Sequence, residues 1–293
     1  MSVAISDTPV RSGRRGGVWR GRIFVALLLL SMAVGFVALG TLFFDVLSKG
    51  LAYVDPVLLT NPPSSDPDIA GARPAILATL YLGILLILFT VPIGVGTAIY
   101  LEEYADRNRW YNRLLELNIQ NLAAVPSIVY GILGLAFLVR GLGLGRVLLA
   151  GALILTLLVL PTVIIAAREA IRAVPGSIRE GAYALGATQW QVVSRQVLPA
   201  AIPGIATGSI LALARAIGET APLILIGALT FISFNPTVMG PFTALPVQIY
   251  NWTKLPDPQF KSLAAAAIIV LLIMVLLLNA GAIWLRNRYQ KRW

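Results

Sequence analysis

The 293-residue sequence contains no cysteine and no histidine. The first absence removes disulfides and thiolate nucleophiles, the second removes imidazole acid–base chemistry, and together they remove the commonest zinc sites. Charge is also scarce: Asp, Glu, Lys and Arg make up 12% of the chain, where an average soluble domain carries roughly 25%. No G-x-x-x-x-G-K-[ST] stretch occurs, so the chain cannot cradle a nucleotide in a P-loop of its own, and any use of ATP must run through a partner. What is plentiful is apolar: 58% of residues are hydrophobic and the mean hydropathy is +0.82. This is the composition of a membrane protein.

Apolar runs near the roughly 20 residues needed to cross a bilayer core cover 23–44, 75–101, 117–139, 147–167, 200–229 and 263–285. They predict an all-α polytopic membrane protein with six transmembrane helices. The first run exceeds the roughly 7–15 apolar residues of a cleavable signal and reads as an uncleaved span. Residues 1–22 form a polar tail with Arg11, Arg14, Arg15, Arg20 and Arg22, residues 75–285 the main membrane domain, and residues 286–293 a second tail. The proline-rich stretch 230–262 carries Phe231, Phe234, Phe242, Tyr250 and Trp252, which suits a segment lying at the membrane interface.

Assigning the loops to alternate sides puts 16 of the 23 Lys and Arg on the side of both tails and six on the other, with Arg215 left at membrane depth. The positive-inside rule then places both termini in the cytoplasm. The net charge of +10 is accordingly an orientation signal and not a nucleic-acid footprint. Arg140 and Arg146, in the turn between the third and fourth runs, are expected among lipid headgroups. Pro126 interrupts the third run; lacking an amide proton, it frees a carbonyl that a neighbouring chain or a water-lined cavity must satisfy. Gly204 and Gly208 form a small-xxx-small pair, a signature of close helix packing.

Two stretches carry candidate function. The first is the polar interruption 168–199, on the side of the tails, whose segment SIREGAYALGATQWQVVSRQVLP reads as two short helices. Ser177 with Glu180 and Thr188 with Gln191 fit capping boxes, and Gly186 sits where a left-handed residue ends the first helix. Ile178, Ala182 and Leu185 share one face at i, i+4 and i+7, a shape that docks in a partner's groove. The bland alternative is an ordinary hairpin between spans, with Glu180 acting only as a cap. A helix-turn-helix DNA reader is set aside, because a hairpin pinned at both ends to a bilayer has little access to a groove.

The second stretch, ARAIGETAP in the fifth run, holds Arg215 and Glu219 at i, i+4. Each costs about 2.5–3.5 kcal/mol at mid-bilayer on insertion scales when left alone. Pro222 weakens the helix beside them and Thr220 adds a hydroxyl at the same level. Such a pair faces a protein interior or an aqueous path. Its planar guanidinium suits an oxyanion, with Glu219 holding it between passages; the alternative is a structural ion pair that fixes helix register.

These residues carry a resemblance. Glu180, Ala182, Gly186, Leu198 and Pro199 match five of the seven positions of the EAA loop of ABC-importer permeases, with Gly181 and Gln196 departing from it. ARAIGETAP, the third-run PSIVYG and the second-run PIGVGTAIYLEEYA are similar to the phosphate-specific branch of that family, the PstA type; the paralogous PstC type usually lacks the Ala-Pro after GET. The resemblance implies the MetI-like permease fold and uptake of inorganic phosphate, driven by ATP and magnesium on a partner, with no cofactor on this chain. It assigns Glu180, Ala182, Gly186, Leu198 and Pro199 to ATPase coupling, and Arg215, Glu219 and Thr220 to the substrate path. It also implies a PstC-like second permease chain, two copies of a PstB-like ATPase, a PstS-like external binding protein and an inner-membrane location. A permease for sulfate, molybdate or phosphonate, or a membrane component that signals phosphate status, remains the competing expectation.

Overall fold

The computed structural model describes residues 16–106, 108–229 and 231–289. Among them the chain is all-helical, with no strand. Five helices are long and apolar enough to cross a membrane, and a bent pair supplies a sixth if it is one span. Arg11, Arg14, Arg15, Lys291 and Arg292, assigned to the two tails, lie outside the described residues.

The chain divides into two units, up to Ser48 and from Lys49. The first is formed by α1 (Gly16–Gly50), which begins before the apolar run does. In the second unit, α2 (Pro56–Thr60) precedes α3 (Arg73–Ile99), which continues as a π-helical turn through Tyr100–Tyr104. The third span is not one helix: α4 (Trp110–Ala123) and α5 (Ser127–Gly134, extended by a π turn to Gly141) meet at a bend of 104°. Next come α6 (Leu148–Arg172), then α7 (Gly176–Ala184) and α8 (Gln189–Val192), which form the hairpin, and α9 (Leu198–Ile217). The fifth span also stops short, at Ile217, and resumes as α10 (Ala221–Leu225). Finally α11 (Leu245–Lys254) leads into α12 (Pro258–Tyr289).

At 25 residues and 1.5 Å per residue, α6 is roughly 37 Å long, enough for the hydrocarbon core. It is the most buried span of the second unit and packs between α3 and α9. Close approach to α9 depends on the two glycines: a Cβ on Gly204 would stand 2.7 Å from the Ala170 Cβ, and one on Gly208 would stand 2.4 Å from that of Ala166. Apolar burial is concentrated in three clusters. One fills the space among α3, α5, α6, α9 and α10; another joins α2, α11, α12 and the start of α3; the third lies under the hairpin.

Both proline breaks resolve their own freed carbonyl. Pro126 has no proton to give the carbonyl of Leu122, and the Tyr130 hydroxyl, one turn into α5, donates to that oxygen at 2.8 Å. Pro222 likewise leaves the carbonyl of Gly218, towards which the Thr220 hydroxyl points at 3.4 Å. One donor for Leu122 thus comes from the same PSIVYG motif, beside the Val125 amide at 3.2 Å. The two broken segments then pack on each other, because a Cβ on Gly131 would fall 2.8 Å from the Pro222 Cα.

The segment expected at the interface is only partly there. Phe231, Phe234 and Tyr250 are exposed, but Phe242 and Trp252 are buried. Phe242 lies over Gly151, where a Cβ would come within 2.7 Å of its ring, and Trp252 packs against Phe260 with ring centroids 6.5 Å apart. Proline-rich backbone at this end is held by side-chain and backbone donors: the amides of Leu148 and Leu149 in the first turn of α6 donate to the carbonyls of Gly240 and Val238, at 3.1 and 2.9 Å. Such amides have no partner within their own helix.

Replacing Tyr130 with Phe deletes the donor to Leu122 and is expected to cost about 1 kcal/mol, read as a lowered midpoint of thermal unfolding of the purified chain. Gly208→Leu should cost more, about 1–3 kcal/mol of overpacking against α6; an unchanged midpoint for either would contradict the packing described.

Candidate functional site

A cavity of about 200 Å³ opens where the two breaks face each other. It is lined by Ala123, Val125, Pro126 and Ser127 from the first break, Leu158 and Thr162 of α6, and Arg215 and Glu219 from the second. Why α9 ends here is local. Gly218 and Glu219 turn the last amides back onto the carbonyls of Arg215 and Ala216, each at 3.1 Å, and Pro222 forbids the next regular turn.

The Arg215 and Glu219 side chains approach to 3.6 Å, Nε to Oε1, which is an ion pair but too long for a hydrogen bond. Arg215 is 76% exposed and Glu219 19%. The guanidinium makes no hydrogen bond among the described residues, so its fork of donors is presented to the cavity. Thr220 is not on the wall; it is the cap residue of α10, and its hydroxyl serves the Gly218 carbonyl.

The hairpin matches its sequence signature in part. Gly186 is left-handed, φ +79°, and closes α7 with Gly186 N–H on the carbonyl of Tyr183 at 2.9 Å. The Thr188–Gln191 capping box is formed in both directions. The Ser177–Glu180 box is not: α7 starts a residue earlier, at Gly176, with Pro175 as its cap residue and no side-chain bond, so Ser177 is already inside the helix. The expected apolar docking face is divided as well. Ile178 and Ala182 turn inward onto the apolar cluster under the hairpin, which Leu198 also joins, while Leu185 falls beyond the end of α7 and is 90% exposed. The outer surface of the hairpin is therefore made by Glu180, Tyr183, Leu185 and Trp190, with Pro199 partly covered in the first turn of α9.

Sequence reading missed what secures the hairpin. Arg179 of α7 donates twice to Glu103 Oε1, at 3.1 and 2.8 Å, and also to the carbonyls of Val174 and Ile171 at the end of α6, at 2.7 and 3.0 Å. Gln189 donates to the Glu103 carbonyl. One residue away, Glu102 accepts from Arg168 at 3.0 Å and Arg172 at 2.6 Å, and Arg168 reaches Glu116 of α4 at 3.0 Å. The Arg168 and Glu102 side chains are 8% and 3% exposed. Arg168, Arg172 and Arg179 had been read only as charges that orient the chain. The available signal was the adjacent Glu102–Glu103 pair at the end of a long apolar run, where carboxylates need cationic partners. Arg146 is not simply a headgroup ligand either: a Cβ on Gly227 would fall 2.6 Å from its Cδ, so its stem lies across the turn after α10.

Known proteins share this plan. The family model described as binding-protein-dependent transport system inner membrane component matches residues 90–293. The probable ABC transporter permease protein YqgH of Bacillus subtilis is 37% identical over 235 residues, covering 75% of this chain and 74% of its own. The phosphate transport system permease protein PstA of Yersinia pestis is 34% identical over 280 residues, covering 93% and 92%. In fold, the chain is similar to a bacterial ABC transporter involved in the import of the acidic polysaccharide alginate, with a TM-score of 0.66 at 20% identity over 94% of this chain and 99% of that one. A multi-pass helical chain with this hairpin and these matches along most of its length belongs to the binding-protein-dependent inner membrane components, the permease subunits of ABC transporters, and groups there with the PstA-type permeases.

Proposed function

We propose that this chain is a membrane subunit of an importer that carries inorganic phosphate into a bacterial cell, powered by ATP hydrolysis on a partner. The observation that carries the reading is the Arg215 guanidinium, presented without a hydrogen bond to a cavity between two broken helices. A fork of fixed donors is the side chain best matched to a tetrahedral oxyanion, and a 200 Å³ space accommodates one with some of its water, at about 30 Å³ per water. The PstA relative of Yersinia pestis supports phosphate as that anion.

In this reading Arg215 engages the passing anion and Glu219 holds the guanidinium between passages, while Thr220 keeps the break open by satisfying Gly218. A second, PstC-like permease chain completes the path and two PstB-like ATPases bind ATP and magnesium. A PstS-like protein delivers phosphate from outside. The chain lies in the inner membrane with both termini cytoplasmic, consistent with its Lys and Arg distribution. Residues 1–22 and 286–293 are its tails, 23–44 its first span, and 75–285 the permease domain with the coupling loop 168–199. Glu180, Ala182, Gly186, Leu198 and Pro199 shape the hairpin that rides on the ATPase, so ATP-driven closure there alternates access to the cavity.

Three experiments test this. In the assembled transporter, Arg215→Lys should reduce phosphate uptake at least tenfold, and Glu219→Gln less, with normal subunit assembly in both; uptake at the parent rate in both variants would leave Arg215 a structural role only. Phosphate with its binding protein should stimulate hydrolysis in reconstituted membranes, whereas sulfate or molybdate stimulation would reassign the anion. In the same membranes, Gly186→Trp should preserve insertion and hydrolysis but lower phosphate moved per ATP several-fold, because no side chain adopts a φ of +79° without strain.

A further inference from the structure

The ion pairs at the hairpin end do more than hold the hairpin down; they connect it to the wall of the cavity. Glu103 is 8% exposed and Arg179, its partner on α7, 23%, so α7 is fastened to the end of α3 with little freedom. Glu102, on the same π turn, shares Arg168 of α6 with Glu116 of α4. From Glu116, α4 runs two turns to Ala123, which is the first residue lining the cavity.

Helix α4 is unusually dependent on this contact. Among its described residues only Asn112 is buried, and Asn112 bonds to the Asp106 carbonyl just before the helix, at 2.9 Å. Leu114, Leu115, Leu117 and Leu122 are exposed, so α4, although it runs alongside α6, buries little apolar surface there. Its C-terminal end meets α5 at the bend of Pro126, where the Tyr130 hydroxyl bonds the Leu122 carbonyl. A helix tethered by charge at one end and hinged at the other turns about the hinge when the tether moves.

We propose that Glu116 and Arg168 form the joint through which the docking hairpin positions the cavity wall, with Glu102 and Glu103 linking the joint to α7. This rests on the functional reading above. The four groups are positioning residues: none of them lines the cavity, and their effect on the anion is exerted through α4. Arg168 is suited to such a role: its own side chain is 8% exposed while Glu116 is 40% exposed, and a buried charge accepts few alternative partners and so fixes one arrangement over another.

The test uses the cysteine-free sequence. In the complete transporter, reconstituted with its ATPase, Ala123→Cys is reacted with a water-soluble maleimide with and without ATP and magnesium, and the adduct is read from the mass of this chain. The parent should show a rate change of roughly tenfold on ATP addition. Added to it, Glu116→Ala should bring the ratio close to one, and the isosteric Glu116→Gln should reduce it by part of that, with hydrolysis unchanged in both. A retained tenfold ratio in both variants would overturn the joint. So would loss of hydrolysis alongside the ratio, which would place Glu116 in docking and not in transmission. A parent that hydrolyses ATP with no change at residue 123 would overturn the functional reading itself, and the joint with it.

Discussion

A carbonyl at membrane depth has no water to fall back on, and the site is built around that constraint. Each proline that interrupts a span frees one such oxygen, and a freed oxygen costs several kcal/mol in hydrocarbon unless a donor is at hand. The Tyr130 hydroxyl supplies the donor for Leu122 and the Thr220 hydroxyl points to Gly218. Only because the breaks are locally satisfied can two of them be packed together, Gly131 against Pro222, without collapsing into continuous helix. The cavity is the space left between helix ends that stop there.

Two arginines show how the same side chain serves opposite ends when its donors are used differently. Arg168 is nearly inaccessible and directs its Nε and Nη2 donors to Glu102 and Glu116; its burial closes it to a ligand. Arg215 touches Glu219 only at 3.6 Å and stays 76% exposed. Removing one partner from the first site would leave an uncompensated buried charge, the costly case for an ion pair. In the second, the partner stands beyond hydrogen-bond range and leaves the guanidinium open to the cavity. Exposure and distance, more than residue type, separate the structural arginine from the open one.

What could be read from the sequence was what short-range chemistry dictates. Apolar run length marks the spans, Gly186 marks the end of α7, Thr188 and Gln191 mark the start of α8, and Gly204 with Gly208 marks the tight face of α9. Each is decided within a few residues or by one missing Cβ. The readings that failed needed a third dimension. Ile178 and Ala182 have the spacing of a docking face, yet that spacing cannot say whether the face meets a partner or the chain's own apolar cluster. Phe242 and Trp252 have interfacial character but found pockets at Gly151 and Phe260. The ionic cluster was invisible because Glu102 and Arg168 are 66 residues apart and each alone looks like a loop charge. At the candidate site Arg215 and Glu219 were legible from spacing, whereas the facing wall at Ala123–Ser127 depends on a 104° bend that Pro126 permits but does not specify.

The distribution of stiffness follows from these contacts. At the hairpin end, α3, α6 and α7 are bound by hydrogen-bonded ion pairs with low exposure and by an apolar cluster that takes in Ala98, Ile171, Val192 and Ile205, and α4 joins them through the half-exposed Glu116. At the breaks the regular ladder stops and short turns replace it, with the Val125 amide and the Tyr130 hydroxyl on the Leu122 carbonyl and the Thr220 hydroxyl 3.4 Å from that of Gly218. A force applied to α7 is therefore not absorbed where it is applied, because several charged contacts would have to separate together in a poorly solvated place. It is absorbed where one weak bond and a missing amide proton already interrupt the ladder. The interrupted backbone is thus also the lining of the cavity, which is why the proposed joint would carry motion at the hairpin end to the Arg215 guanidinium.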